Sequence, residues 1–287
     1  TAGVYRSDNH AWRFTAPNGL VFHAGPSNKM HWVDVSGSGS VTRSVNRGGT
    51  DRMNGNALMY DIGKILVVGG APNYDTGPGT KDAYIIDING AEASVTKAGD
   101  MNFQRTFCNS VVLPNGHVLV IGGQTETLLF SDDYAVMKAE IFDPVTKQFT
   151  ALSAMKVART YHSTAILMMD GRVLVAGGGL CGGCPGNHQD FEIFVPPYLT
   201  NGKEMATQPV IQSAPNSFAP GSWIPVTMET DQTHTFALIR TSAVTHSVNN
   251  DQRRIPLSVS SKSGKTFTLQ IPSNLNVAIT GVCYCLP

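Results

Sequence analysis

The sequence has no surplus of charge: 21 Lys and Arg are matched by 21 Asp and Glu. Without a basic stripe, nucleic-acid binding lacks its electrostatic footprint. Without an acidic run, nothing points to a disordered acidic tail. No apolar run approaches the roughly 20 residues of a membrane span. No segment carries the 3.6-residue period of a long amphipathic helix, and there is no low-complexity tract. Cysteine is sparse and odd in number, five in all, so at least one thiol stays free or pairs elsewhere. A signal peptide and a starting Met are both missing, so a mature product or a fragment is expected.

Glycine and proline are plentiful, 29 and 16 in 287 residues, and with few helix-forming runs they point to many tight turns and an all-β protein. Short apolar strands ending in glycine recur: Leu20 to Gly25, Ile65 to Gly70, Val118 to Gly123 and Val173 to Gly178. Each follows a turn, at Asn18-Gly19, Gly63-Lys64, Asn115-Gly116 and Asp170-Gly171, where glycine supplies the positive φ of a tight hairpin. The closing glycines are roughly 45–55 residues apart, the period of a four-stranded kelch-type propeller blade. After Phe194 the pattern stops. Pro196-Pro197 and Asn201-Gly202 read as a linker, and alternating strands from about Ala206 read as a small β-sandwich. The expected division is therefore 1–205, a propeller segment with about four repeats, and 206–287, the sandwich.

The chemistry concentrates in the last repeat. Arg105-Thr-Phe-Cys-Asn in one copy becomes Arg159-Thr-Tyr-His-Ser in the next, so that counting from the Arg-Thr pair sets Tyr161-His162 on Phe107-Cys108. A repeat does not explain why a phenol and an imidazole enter one copy. Neighbouring strand residues point to opposite faces, so the two reach one metal only where the strand ends or bulges; the plain alternative is a packed Tyr beside a surface His. His246 lies in the loop Thr241 to Arg254 between two sandwich strands; a lone loop His is more often solvent-exposed. Two imidazoles and a phenolate make a mixed N,O set suited to tetragonal Cu(II), with zinc as the rival.

Cys181-Gly-Gly-Cys184 has three readings: a redox CxxC, which lacks its βαβ context; a zinc knuckle, with His188 as the one near neighbour; and a local structural disulfide, which fits best. Cys108 reads as a small buried residue, and Cys283 and Cys285 are too close for an easy mutual bond. Arg6, in the hydrogen-bonding stretch Tyr5 to Trp12, has the donor fork to grip a diol or carboxylate, or equally to serve as a salt-bridged rim residue. Tyr74 and Phe130 follow repeat Gly-Gly pairs, in the blade-end loops where sites tend to lie, though aromatics there are often just packed.

Arg159-Thr-Tyr-His-Ser, Gly177 to Cys184 with Asn187-His188, Pro197-Tyr-Leu199 and Thr245 to Pro256 together resemble galactose oxidase and its copper-radical oxidase relatives, including glyoxal and alcohol oxidases. Tyr5 to Trp12 and Ala24 to Ser27 favour the galactose oxidase branch. The resemblance runs from Tyr5 to about Ala278. It implies a seven-bladed kelch propeller followed by an immunoglobulin-like early-set β-sandwich, whose loop delivers a histidine to the propeller axis. It makes His162 and His246 equatorial ligands of one copper ion, and Tyr161 the axial ligand and the base for the alcohol proton. It makes Cys181–Cys184 a disulfide, and Arg6, Tyr5, Tyr74 and Phe130 the substrate pocket. The implied reaction oxidises a primary alcohol or a carbohydrate hydroxymethyl to the aldehyde and reduces O2 to H2O2, in a secreted enzyme that acts as a monomer without nucleic acid or membrane.

The sequence departs from the family at several points. No residue stands for the second tyrosine, whose thioether link to a cysteine carries the radical, nor for the tryptophan stacked on it; Trp12 and Trp32 fall elsewhere. This reads as a fragment, or as a chain inactive by itself. The resemblance also implies an N-terminal carbohydrate-binding domain, which is expected to be missing from this chain. Family glutamine positions read Ala2 and Asp75. Ile279 to Pro287 abandons the apolar final strands, from which the sandwich is expected to lose an edge. The reading from another class is a non-catalytic kelch-type module that binds a glycan or protein through its blade loops. A zinc hydrolase ranks third, since no Asp or Glu sits beside the candidate ligands.

Overall fold

The computed structural model describes residues 11–202, 204–241, 244–246, 248–279, 281 and 283–286, the last three of these as backbone. The chain is all-β, with a single three-residue 3-10 turn, Pro197–Leu199, among the described residues.

Four antiparallel sheets follow one another. The first holds β1 (Trp12–Thr15), β2 (Val21–Gly25), β3 (Lys29–Asp34) and β4 (Ser40–Asn46). The second holds β5 (Asn56–Asp61), β6 (Lys64–Val68), β7 (Ala83–Asp87) and β8 (Ser94–Lys97). The third holds β9 (Asn109–Val112), β10 (Val118–Ile121), β11 (Lys138–Asp143) and β12 (Gln148–Ala154). The fourth has three strands, β13 (Ser163–Leu167), β14 (Val173–Gly177) and β15 (Phe191–Phe194). Each meanders in strand order, and β5, β9 and β13 lie side by side as inner strands.

The repeats are near-continuous Val, Ile and Leu because the second and third sheets are covered on both faces. Ala57, Met59, Ile65, Val67 and Ile86 of the second sheet pack with Phe14, Phe22 and Trp32 of the first. Leu58, Leu66 and Ile85 pack with Val111, Leu119 and Phe142 of the third. The outer strands β4, β8 and β12 are mostly exposed and polar. The paired glycines have a specific cause. A Cβ on Gly69 would strike the carbonyl of Arg105, and one on Gly122 the carbonyl of Arg159. Those carbonyls accept from Gly70 N–H at 2.8 Å and Gly123 N–H at 2.7 Å. The glycines thus seat the entry loop of each following sheet.

A hairpin of β16 (Thr200–Asn201) and β17 (Glu204–Met205) leads to the last unit. It comprises β18 (Ile211–Ser213), β19 (Trp223–Met228), β20 (Phe236–Arg240), β21 (Arg254–Ser263), β22 (Thr266–Gln270) and β23 (Cys283–Leu286), in the order β18-β19-β22-β21-β20-β23. The first residues of the ten-residue β21 pair with β20 and the later ones with β22, with an irregularity between Val259 and Ser261. One continuous sheet thereby encloses a core of Val226, Met228, Leu238, Ile255, Phe267 and Leu269. The expected loss of an edge is corrected here: Cys283–Leu286 pairs with β20 from Arg240↔Cys283 to Ala237↔Leu286. Main-chain pairing needs N–H and C=O groups and not apolar alternation, so a tail that has lost the pattern still adds a strand.

Across the first sheet run the cross-strand partners Arg13, His23, His31 and Ser44. Burial, then the neighbouring His31 and Arg13, lower the His23 pKa from 6.5 to about 4. The unfolded chain therefore binds more protons than the folded one between these values, and stability falls as pH drops from about 6.5 to about 4. Unfolding free energies from urea melts at pH 7.5 and 4.5 are expected to differ by about 1–2 kcal/mol less in His23→Gln than in the wild type, allowing for solvent screening at a partly exposed ring. An equal pH response in both proteins would refute this assignment.

Candidate metal centre

Arg105 and Arg159 are both fully buried, and each donates from Nη1 to the carbonyl of a repeat glycine: Arg105 to Gly122 at 2.8 Å, Arg159 to Gly177 at 3.0 Å. From these matched anchors the two copies diverge. Asn109 pairs with Ile121 and Thr164 with Ala176, each partner being the residue before the repeat glycine. Arg105 precedes Asn109 by four residues, whereas Arg159 precedes Thr164 by five. The last copy thus carries one extra residue ahead of its inner strand. In strand register, Tyr161-His162 matches Thr106-Phe107 and not Phe107-Cys108, which corrects the alignment counted from Arg-Thr.

The extra residue lies just before β13 begins, and His162 is in the left-handed region at φ 65°. Outside the strand, the alternation that sends neighbours to opposite faces no longer applies. The Tyr161 and His162 rings stack at 3.8 Å between centroids. His162 Nδ1 is 2.7 Å from the carbonyl of Gly179. A carbonyl only accepts, so this contact puts the proton on Nδ1 and leaves the Nε2 lone pair bare.

That lone pair faces the sandwich. His162 Nε2 and His246 Nε2 are 3.0 Å apart, with the rings nearly perpendicular at 88°. His246, also left-handed at φ 51°, sits in a tight turn closed by two hydrogen bonds between the main chains of Thr245 and Val248. Its Nδ1 is 2.6 Å from the Thr245 hydroxyl, which again turns Nε2 to the centre. The loop is tied to the propeller by Asn250 Nδ2 to the Ala11 carbonyl at 3.0 Å and Arg254 Nε to the Pro114 carbonyl at 2.7 Å. The Tyr161 ring lies 5.8 Å from that of His246.

The remaining predicted positions sort as follows. Tyr74 is buried, with its hydroxyl 2.8 Å from that of Tyr161. Phe130 is partly exposed, its ring 5.1 Å from Tyr161 and 5.8 Å from His162, edge to face. Asp75 is exposed beside Tyr74. Tyr5, Arg6 and Ala2 lie outside the described residues. Cys181 and Cys184 form the disulfide, and His188 instead pairs with Asp132, Nε2 to Oδ2 at 2.8 Å. Cys108 is fully buried, its thiol pushed up to about 11 mainly by desolvation. Two neighbours went unread in the sequence. Phe107 packs edge-on to Tyr161 at 5.0 Å, and buried Asn54 donates to the Tyr74 carbonyl at 2.6 Å. Their shared signal was the position two residues before an inner strand, where both are left-handed at φ 56° and 58°.

The donor set fits a metal ion. Two nitrogen ligands bound at about 2.0 Å and at a right angle stand about 2.8 Å apart, close to the 3.0 Å between the two Nε2 atoms. Among the described residues no three His, Cys, Asp or Glu converge; a metal held by the two imidazole nitrogens and the Tyr161 oxygen would have the N,O mixture that suits Cu(II).

Residues 60–182 match the family described as Glyoxal oxidase N-terminus, and residues 208–286 match the galactose oxidase-like early set domain. The chain is 44% identical to a galactose oxidase of Gibberella zeae, over 97% of this chain and 43% of that protein. It is 28% identical to an aldehyde oxidase of Arabidopsis thaliana over 62% of this chain and 32% of that protein. Among solved structures, a fungal alcohol oxidase in complex with copper is similar at TM-score 0.92 and 42% identity, over 96% of this chain and 59% of that one. The chain spans less than half the length of the curated galactose oxidases it matches.

Proposed function

Because the chain belongs to the galactose oxidase-like family of copper-radical oxidases, we propose that it supplies the copper-holding portion of an enzyme that oxidises a primary alcohol or carbohydrate hydroxymethyl with O2. The observation that carries this reading is the approach of the His162 and His246 Nε2 atoms to 3.0 Å beside a phenol, from two parts of the chain 84 residues apart. The proposed division, a propeller segment to residue 205 and the sandwich from 206, makes that convergence a junction between two units. The match of residues 208–286 to an early set domain supports it.

His162 and His246 would hold copper through Nε2, and Tyr161 through its phenolic oxygen. Copper bound there would supply a Lewis acid and a one-electron acceptor. The Gly179 carbonyl keeps His162 in the ligating tautomer, as carbonyl partners do for metal-bound imidazoles. As the phenolate, Tyr161 would take the hydroxyl proton of the alcohol and become a neutral phenol, with the Tyr74 hydroxyl hydrogen-bonded to its oxygen. Phe130, Phe107 and Tyr74 wall the approach with aromatic surface and keep bulk water from the phenol. Arg6 and Tyr5 are proposed to bind the substrate's other hydroxyls. The Cys181–Cys184 disulfide supports secretion, since such bonds persist in oxidising compartments. No helix among the described residues is long and apolar enough to cross a membrane.

No residue of this chain stands for the crosslinked tyrosine that carries the radical. The purified 287-residue chain is therefore expected to bind one Cu(II), giving a tetragonal paramagnetic resonance spectrum with two nitrogen ligands, and to form no H2O2 from primary alcohols. A chain that takes up no Cu(II) at micromolar concentration would refute the metal centre; rapid H2O2 production would refute the assignment of the radical to a residue this chain lacks.

A further inference from the structure

We propose that Gln252 is the positioning residue that sets the separation between His246 and His162, by acting as a one-rung strand partner for β9. This rests on the reading of the two histidines as metal ligands. Gln252 is 3% exposed and lies six residues beyond His246 in the same loop. Its side-chain Nε2 donates to the Ser110 carbonyl at 2.9 Å, and its Oε1 accepts from the Val112 N–H at 3.0 Å. Donating to one residue and accepting from the residue two further on is what a neighbouring parallel strand does. β9 pairs with β10 on one side only, so these two groups face the hub and would otherwise be buried without partners. The same Nε2 also donates to the Asn249 carbonyl at 3.2 Å, three residues from His246.

The other end of the link is equally short. Asn109, next to Ser110 on β9, donates from Nδ2 to the Ser163 hydroxyl at 2.9 Å, and Ser163 directly follows His162. Two buried amide side chains therefore connect the sandwich loop to the turn holding His162, through a strand that carries neither ligand. Asn250 and Arg254 also tie the loop down, to the carbonyl of Ala11 and to that of Pro114, two residues beyond Val112, but neither bonds to Asn109 or Ser163. Only an uncharged amide with the reach of Gln offers a donor and an acceptor at once. Glu removes the donors, Asn is one methylene short, and Leu leaves both main-chain groups of β9 unpaired.

The test compares wild type, Gln252→Leu, Gln252→Asn and His246→Ala, all as the full chain. Without metal, side-chain-labelled wild type is expected to show a nuclear Overhauser contact between the ring protons of His162 and His246. Both Gln252 variants should lose it while keeping the cross-strand contacts of β13 and β14. With copper, they should bind Cu(II) at least 10-fold more weakly and give a broadened spectrum with altered hyperfine coupling, a change that general destabilisation of a still-folded chain does not produce. A His–His contact that survives in the variants, or unchanged copper affinity and spectrum, overturns the proposal. Should Gln252→Leu fail to fold, Gln252→Asn decides alone, since it keeps the amide and changes only its reach. Absence of copper binding in the wild type would sink the metal reading, whereas the ring-proton contact still decides the role of Gln252.

Discussion

His246→Ala is expected to lower Cu(II) affinity by more than about 100-fold, because even partners one shell outside a metal typically cost 10–100-fold when removed. His246 is a nitrogen donor brought in by the sandwich, its Nε2 3.0 Å from that of His162. Without it, the donors left are Tyr161 and His162, neighbours on one turn whose rings stack at 3.8 Å. That leaves one imidazole nitrogen and one phenolic oxygen, a poor set for a tetragonal ion. The side chain is only half-buried in an irregular loop, so its loss should leave stability within about 0.5 kcal/mol of the wild type. Copper titration monitored by paramagnetic resonance, with a urea melt on the same sample, separates the two effects. Wild-type affinity in the variant would mean that the histidine contact is incidental. A large loss of stability would mean that the loop is a structural element first.

The second large effect is structural. Glu140→Leu is expected to destabilise the protein by about 3–5 kcal/mol, the cost of leaving one half of a buried ion pair uncompensated. Arg105 and Glu140 are both fully buried, and their charges meet at 2.9 Å. The carboxylate also accepts from the main-chain N–H groups of Asn102 at 2.5 Å and Phe103 at 3.2 Å, and from Asn102 Nδ2 at 2.8 Å. One side chain thus fixes the segment that enters the third sheet, while Arg105 spans to the carbonyls of Gly122 and Lys138. Leu fills the volume but returns none of those bonds, so donors and a guanidinium are stranded together. Chemical denaturation of wild type and variant measures the difference. A change under about 1 kcal/mol would show that the carboxylate is replaceable by packing. The fourth sheet offers an internal contrast. There Arg159 meets Asp190 at 2.9 Å and the partly exposed Glu192 only at 3.9 Å, so Glu192→Leu leaves the guanidinium a partner and should cost clearly less.

Much of this was legible in one dimension. The Gly-terminated apolar runs located β2, β6, β10 and β14: β6 and β10 are buried on both faces, β2 and β14 alternate, and all four runs end at glycine. Asp170-Gly171 and Asn115-Gly116 marked hairpins because only such residues take positive φ cheaply. Cys181 and Cys184 read as a local disulfide since the sequence offered neither the βαβ context of a redox pair nor the second ligand pair of a zinc knuckle. The Tyr161-His162 exchange stood out against its repeat. Other features were hidden for physical reasons. The extra residue before β13 is invisible to counting, because register is set by pairing across to β14 and not by distance along the chain. Phe107 looked like any buried aromatic until its edge-on contact with Tyr161 was seen. The tail strand β23 had lost the alternation that betrays strands, since main-chain pairing with β20 requires none.

The sequence alone determined the all-β class, the repeat, the change of character after Phe194 and the residue types able to ligate a metal, because periodicity, turn chemistry and donor chemistry are local properties. Whether His246 faces His162 or water was decided by the tertiary structure. That depends on two left-handed residues and on a loop docked against the inner strands, and a distance between residues 84 positions apart is a property of packing and not of any stretch of chain.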